Sequence, residues 1–173
     1  MIASANTGAI AGPIAGDAAA RAGELRARLP RPLVFTNGVF DVLHAGHVAC
    51  LEAARELGAS LVVGLNSDAS ARRLAKGPGR PLNGEHERAR VLGALRAVDA
   101  VVVFEESAPL ALLDALRPDI YVKGGDYRID NLREAAQVAT WGGRTVIVPR
   151  IAGLSTTAIV ARIAALNGGA GAS

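Results

Sequence analysis

Five short apolar runs punctuate the chain: "LVFTNG" at 33–38, "SLVVGLN" at 60–66, "AVVVF" at 100–104, "DIYVK" at 119–123 and "RTVIVP" at 144–149. None alternates strictly between apolar and polar positions, so each calls for cover on both faces. That is the habit of a parallel sheet with helices on either side. Between these runs the apolar positions switch to helical spacing. Val48, Leu51, Ala54 and Leu57 share one face of "HVACLEAARELG" (47–58), with Gly58 as its stop. Further helices are expected at 24–30, closed by Pro30 and Pro32, and at 67–75, where Ser67 and Asp68 are both good N-caps. The same spacing predicts helices at 85–98, 107–118, 131–143 and 155–167. "KGPGRPLNG" (76–84) and "GGDYRID" (124–130) read as loops.

Strands that alternate with helices make an α/β protein. Right-handed crossovers then give a Rossmann-like, doubly wound fold: a five-stranded parallel sheet with helices on both faces. Such sheets bind ligands at the carboxyl ends of their strands, beside the point where strand order reverses. The expected organisation is a flexible tail over 1–22, one domain over 23–167 and a short flexible tail over 168–173. No internal repeat and no second domain is visible.

Composition narrows the picture without changing it. A chain of 173 residues, half of them apolar, can bury a real core. No run of eighteen or more apolar residues lacks charges, so no membrane span is expected. The opening "MIASANTGAIAGPIAGDAAARAG" lacks the basic stretch that leads a signal peptide. The single cysteine, Cys50, cannot form an intramolecular disulfide, which suits a reducing cytoplasm. The net charge of +3 rests almost wholly on arginine, the side chain that grips phosphate in a bidentate fork. No basic block with interleaved aromatics occurs, so a nucleic-acid partner is not expected.

The candidate chemistry lies in the segments that follow the strands. After the first comes "NGVFDVLHAGH", with His44 and His47 flanking Gly46 where strand hands over to helix. Three readings compete there: a metal site, a packed or capping imidazole, and a phosphate grip. Metal lacks a partner set, because the spacing is not His-Glu-x-x-His and the third histidine is His86. A helix start offers free N–H groups and partial positive charge, and Gly46 lets a ligand approach the backbone. The phosphate reading therefore fits best. "LSTTAIVARI" supplies a second helix start, with Ser155, Thr156 and Thr157 either binding an anion or merely capping. Strand residue Lys123, followed by Gly124 and Gly125, could face a ligand or only precede a turn. "NSD" after the second strand reads as half cap and half site. "KGPGRP" could bring Lys76 and Arg80 over a triphosphate or remain a solvated loop. Neither a Walker A loop nor a Gly-x-Gly-x-x-Gly fingerprint is present.

Taken together, "GVFDVLHAGH" and "GLSTTAIVARI" resemble the two signatures of the His-x-Gly-His nucleotidylyltransferase superfamily, in its cytidylyltransferase-like branch. With "NSDASARRLAKGPGRPLN", "ERARVLGALRAVDAVVVFEE" and "RPDIYVKGGDY", the stretch from Leu33 to Arg162 resembles the adenylyltransferases of ADP-heptose synthesis in their stand-alone form. The resemblance implies transfer of AMP from ATP, with Mg²⁺, to D-glycero-β-D-manno-heptose 1-phosphate, feeding the lipopolysaccharide inner core. It implies that His44 and His47 hold the α-phosphate, and that Ser155, Thr156 and Thr157 bind the β- and γ-phosphates. Lys76 and Arg80 would close on the triphosphate. Gly38, Phe40, Asp41, Gly46, Lys123, Gly124, Gly125 and Asp126 would surround the nucleotide; Asn66, Asp68 and Arg80 would face the acceptor. No residue is assigned to a metal. The resemblance further implies a separate heptose kinase and phosphatase, a homo-oligomer, and a cytoplasmic location. Read from residues alone, the nucleobase stays open: CTP with glycerol 3-phosphate is the near alternative, and a non-catalytic nucleotide-binding module the distant one.

Overall fold

The computed structural model describes residues 18–74, 77, 79–149, 151 and 153–168. Five strands, β1 (Leu33–Gly38), β2 (Ser60–Asn66), β3 (Ala100–Phe104), β4 (Ile120–Gly124) and β5 (Arg144–Val148), form one parallel sheet in the order β3-β2-β1-β4-β5. Its helices are α1 (Ala18–Arg28), α2 (Ala45–Glu56), α3 (Asp68–Arg73), α4 (Glu85–Gly93), α5 (Leu110–Leu116), α6 (Arg133–Ala139) and α7 (Thr156–Gly168), with a 3₁₀ turn at Ile129–Asn131. Strand order reverses between β1 and β4, which pair from Val34↔Ile120 to Thr36↔Val122.

Burial on both faces explains the unbroken apolar runs. On one face Leu33, Phe35, Val62, Val102 and Tyr121 pack against Leu25 of α1, Leu112 and Leu116 of α5 and Val138 of α6. On the other, Val34, Leu61, Val63, Leu65 and Val122 pack against Leu51 and Ala54 of α2 and Ala89 and Leu92 of α4. Neighbouring residues of one strand thus serve opposite cores, as the side-chain period of two requires. The chain's paucity of aromatics leaves the packing to branched aliphatics, with Phe35 stacked on Tyr121 at 6.1 Å between ring centroids.

Three expectations change. The first element among the described residues begins at Ala18 rather than Gly23, and Ala22, assigned to the tail, is fully buried. Gly58 does follow α2, but it takes no left-handed φ. A Cβ there would lie 2.4 Å from the Pro32 carbonyl oxygen, so glycine is needed because the chain before β1 crosses it closely. Helix α4 stops at Gly93, short of the expected residue 98. Leu95 and Val98 continue as hydrogen-bonded turns into β3.

Candidate active site

A cavity of about 380 Å³ opens at the carboxyl ends of the strands, at the point where strand order reverses. Residues after β1, β2, β4 and β5 line it, which brings together Gly38, Phe40, Asp41, His44, Gly46, His47, Asn66, Arg80, Lys123, Gly124, Ser155, Thr156 and Thr157. Of the remaining expected residues, Lys76 lies outside the described residues. Asp68, Gly125 and Asp126 do not line the cavity. Asp68 instead pairs with Arg88 at 2.6 Å, Gly125 makes a turn at φ 131°, and Asp126 is exposed.

The loop from β1 to α2 is bent by two non-glycine residues in left-handed backbone, Phe40 (φ 47°) and Val42 (φ 52°). Each costs on the order of 1 kcal/mol and persists only where surroundings enforce it. The Phe40 ring lies so close to Gly38 that a Cβ there would be 3.0 Å from it. The same ring meets His47 edge-on at 5.3 Å. His47 in turn stacks on His44 with centroids 3.9 Å apart.

His44 is the N-cap of α2, and its Nδ1 accepts a hydrogen bond from the Gly46 N–H at 3.1 Å. An accepting Nδ1 places the proton on Nε2, so the neutral ring is left with one donor for a ligand. Burial pushes its pKa below the ordinary histidine value, which favours that neutral form. The capping reading therefore holds for one nitrogen, and the other is left available to a ligand. Gly46 is required by this arrangement, since a Cβ would sit 3.0 Å from the His44 ring and 3.2 Å from Leu154.

Helix α7 is brought to the same place. Ser155 Oγ accepts from the Ala158 N–H (3.1 Å), as an N-cap does, and Thr156 Oγ1 donates to the Asp41 carbonyl (2.8 Å). That second bond ties the start of α7 to the loop that carries the histidines. Two helix N-termini thus border one cavity. Of the three hydroxyls, those of Ser155 and Thr156 are engaged structurally, and Thr157 is exposed in the first turn.

The Asp41 carboxylate is buried and saturated. It accepts from Arg80 Nε (2.6 Å) and from the Leu82 (2.9 Å) and Asn83 (3.1 Å) N–H groups. Burial alone would raise its pKa, but these donors and the Arg80 charge outweigh that and hold it below the ordinary value. Asp41 therefore fixes the segment after α3, with Arg80 at the cavity edge.

Asn37, Tyr127, Glu134 and Arg88 are among the lining or supporting residues that fall outside the sequence-based candidates. Asn37 Oδ1 accepts from Tyr121 OH (2.8 Å) and Lys123 Nζ (3.3 Å). Glu134, from α6, lies 3.5 Å from Lys123, and Tyr127 places its ring 5.6 Å from the same ammonium. Arg88 sits behind the cavity. It is buried in α4 and donates to the Val39 carbonyl (2.6 Å), the Asn66 carbonyl (2.9 Å) and the Asn83 carbonyl (2.9 Å). Both Arg88 and Glu134 stand four residues ahead of a buried apolar residue on their helix, Leu92 and Val138 respectively. A charge on the buried stripe of an amphipathic helix was the signal that could have found them.

The family model for cytidylyltransferase-like proteins matches residues 35–162. A D-beta-D-heptose 1-phosphate adenylyltransferase of Bordetella bronchiseptica is 57% identical over 136 residues, covering 79% of this chain and 84% of that protein. The bifunctional protein HldE of Mesorhizobium japonicum is 61% identical over 131 residues, 76% of this chain. The chain spans 26% of that relative's length. Among solved structures, the lipopolysaccharide core biosynthesis protein from Thermoplasma volcanium GSS1 superposes with a TM-score of 0.58 at 29% identity, covering 69% of this chain and 95% of that one.

Proposed function

The chain belongs to the cytidylyltransferase-like family, and from that premise we propose that it transfers AMP from ATP to D-glycero-β-D-manno-heptose 1-phosphate, releasing pyrophosphate. The observation that carries the chemistry is the meeting of the α2 and α7 N-termini, tied by the Thr156–Asp41 hydrogen bond, over a cavity lined by both imidazoles. Identity to the Bordetella adenylyltransferase supplies the substrates.

A phosphate oxygen of the sugar phosphate attacks the α-phosphorus of ATP, and the bond to the β-phosphate oxygen breaks. A phosphate monoester has its second pKa near 6, so the nucleophile is already an anion at neutral pH and needs no general base. Two polyanions must still be brought into line and their charge met, which is a task of positioning and electrostatics. His44 offers its Nε2–H to the α-phosphate, where negative charge builds in the transition state. His47, stacked on it, lies beside the same phosphate. The α7 N-terminus with Thr157 takes the β- and γ-phosphates, and Arg80 and Lys76 add charge from the segment between α3 and α4.

A magnesium ion carried by ATP would supply positive charge that offsets the charge on the departing pyrophosphate. Among the described residues no three His, Cys, Asp or Glu side chains gather as ligands, and the Asp41 oxygens are already taken. The heptose 1-phosphate would come from a kinase and a phosphatase that act before this step. No helix among the described residues is long and apolar enough to cross a membrane.

The test is to incubate the protein with heptose 1-phosphate and each nucleoside triphosphate and to follow pyrophosphate. ATP should give the highest kcat/KM. Preference for CTP, or turnover only with a smaller phosphate such as glycerol 3-phosphate, would overturn the assignment.

A further inference from the structure

We propose that Glu134 is a positioning residue: its carboxylate holds Lys123 charged and aimed into the cavity, as a cation for the phosphates of the nucleotide. The inference rests on the nucleotide assignment above and adds a residue to it. A carboxylate in the wall of an anion site opposes the ligand's charge, so its presence there calls for a task. Glu134 and Lys123 are both nearly buried, at 12% and 16% side-chain exposure, and stand 3.5 Å apart.

Lys123 stands one residue before the end of β4, paired with Ile147 of β5, and most of its side chain is buried. Tyr121 lies beside it on β4, Tyr127 comes from the loop that follows, and from α2 Cys50 packs on the adjacent Gly124. An ammonium so enclosed loses hydration, and burial pushes its pKa down; Glu134 works against that. Burial also pushes the Tyr121 hydroxyl far up, so Tyr121 stays neutral and supplies no counter-charge. Its O–H is turned to Asn37, whose Oδ1 also receives Lys123. An ammonium has three donors. Asn37 and Glu134 take two, leaving the third for a ligand. His44 and His47 line the same cavity and are kept in every variant compared below.

The experiment measures ATP affinity by calorimetry at pH 7.5 and pH 9.5 for wild type, E134Q, E134D, K123M and the double variant E134Q/K123M. Losing a counter-charge at this distance moves a pKa by about one unit or more. E134Q should therefore match wild type within about twofold at pH 7.5 and bind about tenfold more weakly at pH 9.5. E134D, which keeps the charge, should follow the wild-type profile. K123M should be weak at both values, with no further loss in the double variant. Tighter ATP binding by E134Q at both pH values would make the carboxylate a mere repulsion and overturn the proposal. So would an equal loss at both pH values, the mark of a packing role, or additive losses in the double variant, which would put Glu134 on the ligand itself. Pyrophosphate release by wild type is followed in parallel. Its absence would sink the assigned reaction while the affinity data still judge Glu134.

Discussion

Replacing Arg88 by Met keeps the apolar stem and removes only the guanidinium, which isolates its hydrogen bonds from its packing. In the wild type that group reaches the Val39 carbonyl at the end of β1, the Asn66 carbonyl at the end of β2, the Asn83 carbonyl and Asp68. Two of these partners recover cheaply. Asn83 is exposed, and the Asp68 side chain keeps 27% of its surface, so water replaces the lost donor there. Val39 and Asn66 are buried. Each orphaned acceptor costs about 1–3 kcal/mol, so the pair costs about 4 kcal/mol. For a domain of this size, that lowers Tm by about 10 °C.

Function should fall as well, because the loop behind Val39 carries both histidines. Thermal unfolding and steady-state kinetics, read 15 °C or more below the variant's own Tm (about that margin keeps it folded), separate the two effects. A kcat loss of at least about tenfold is expected, since small displacements of a positioned group are costly. A Tm within about 3 °C of wild type would refute the view that Arg88 satisfies otherwise unpaired carbonyls. A large Tm loss with unchanged kcat would refute its link to the histidine loop.

Three further outcomes follow from the same geometry. His47→Ala should lower kcat by about a hundredfold or more, the usual cost of an oxyanion-type donor, with the fold retained by circular dichroism; an unchanged kcat removes His47 from the chemistry. Asp41 has a folded pKa below its unfolded one, so its contribution is full above about pH 4 and is lost as pH falls through the lowered value. Urea midpoints should accordingly drop less steeply below about pH 4 in Asp41→Asn than in wild type, and parallel curves would deny Asp41 this role. With no enzymic base to titrate, kcat/KM should rise with an apparent pKa near 6, and a fluorinated sugar phosphate of lower second pKa should move that limb to lower pH. A limb that ignores the substrate would mean that an enzyme group acts as base.

The fold was legible because its signal is redundant. β1, β2 and β3 lie at the residues their apolar runs predict, and α2 buries Leu51 and Ala54 from the face named for it. Helix ends were less so. α4 ends at Gly93 although Leu95 and Val98 stay apolar; they leave helical geometry, and periodicity alone cannot see that change. The loops after the strands announced the cavity, yet which atoms are spent on structure was invisible. Asp41 and Asp68 look alike in sequence as acids beside a helix start. Only tertiary contacts show that each is committed to an arginine from a distant segment, Arg80 and Arg88.

Those commitments give the site its logic. If the proposed reaction is the right one, the cavity takes several phosphates, and there a bare carboxylate would repel the ligand and a bare cation would be costly to bury. Asp41 is neutralised by Arg80 and two N–H groups, Asp68 by Arg88, and Glu134 by Lys123. What would then face the ligand is positive or neutral: two helix starts, the His44 donor fixed by its own cap, His47, and Arg80 and Lys123 held by their acids. In the proposed reaction the acids would not act on the substrate. They set where the positive charge stands, and the loop strain at Phe40 and Val42 is tolerated because Asp41, lying between them, is anchored through both its carboxylate and its carbonyl.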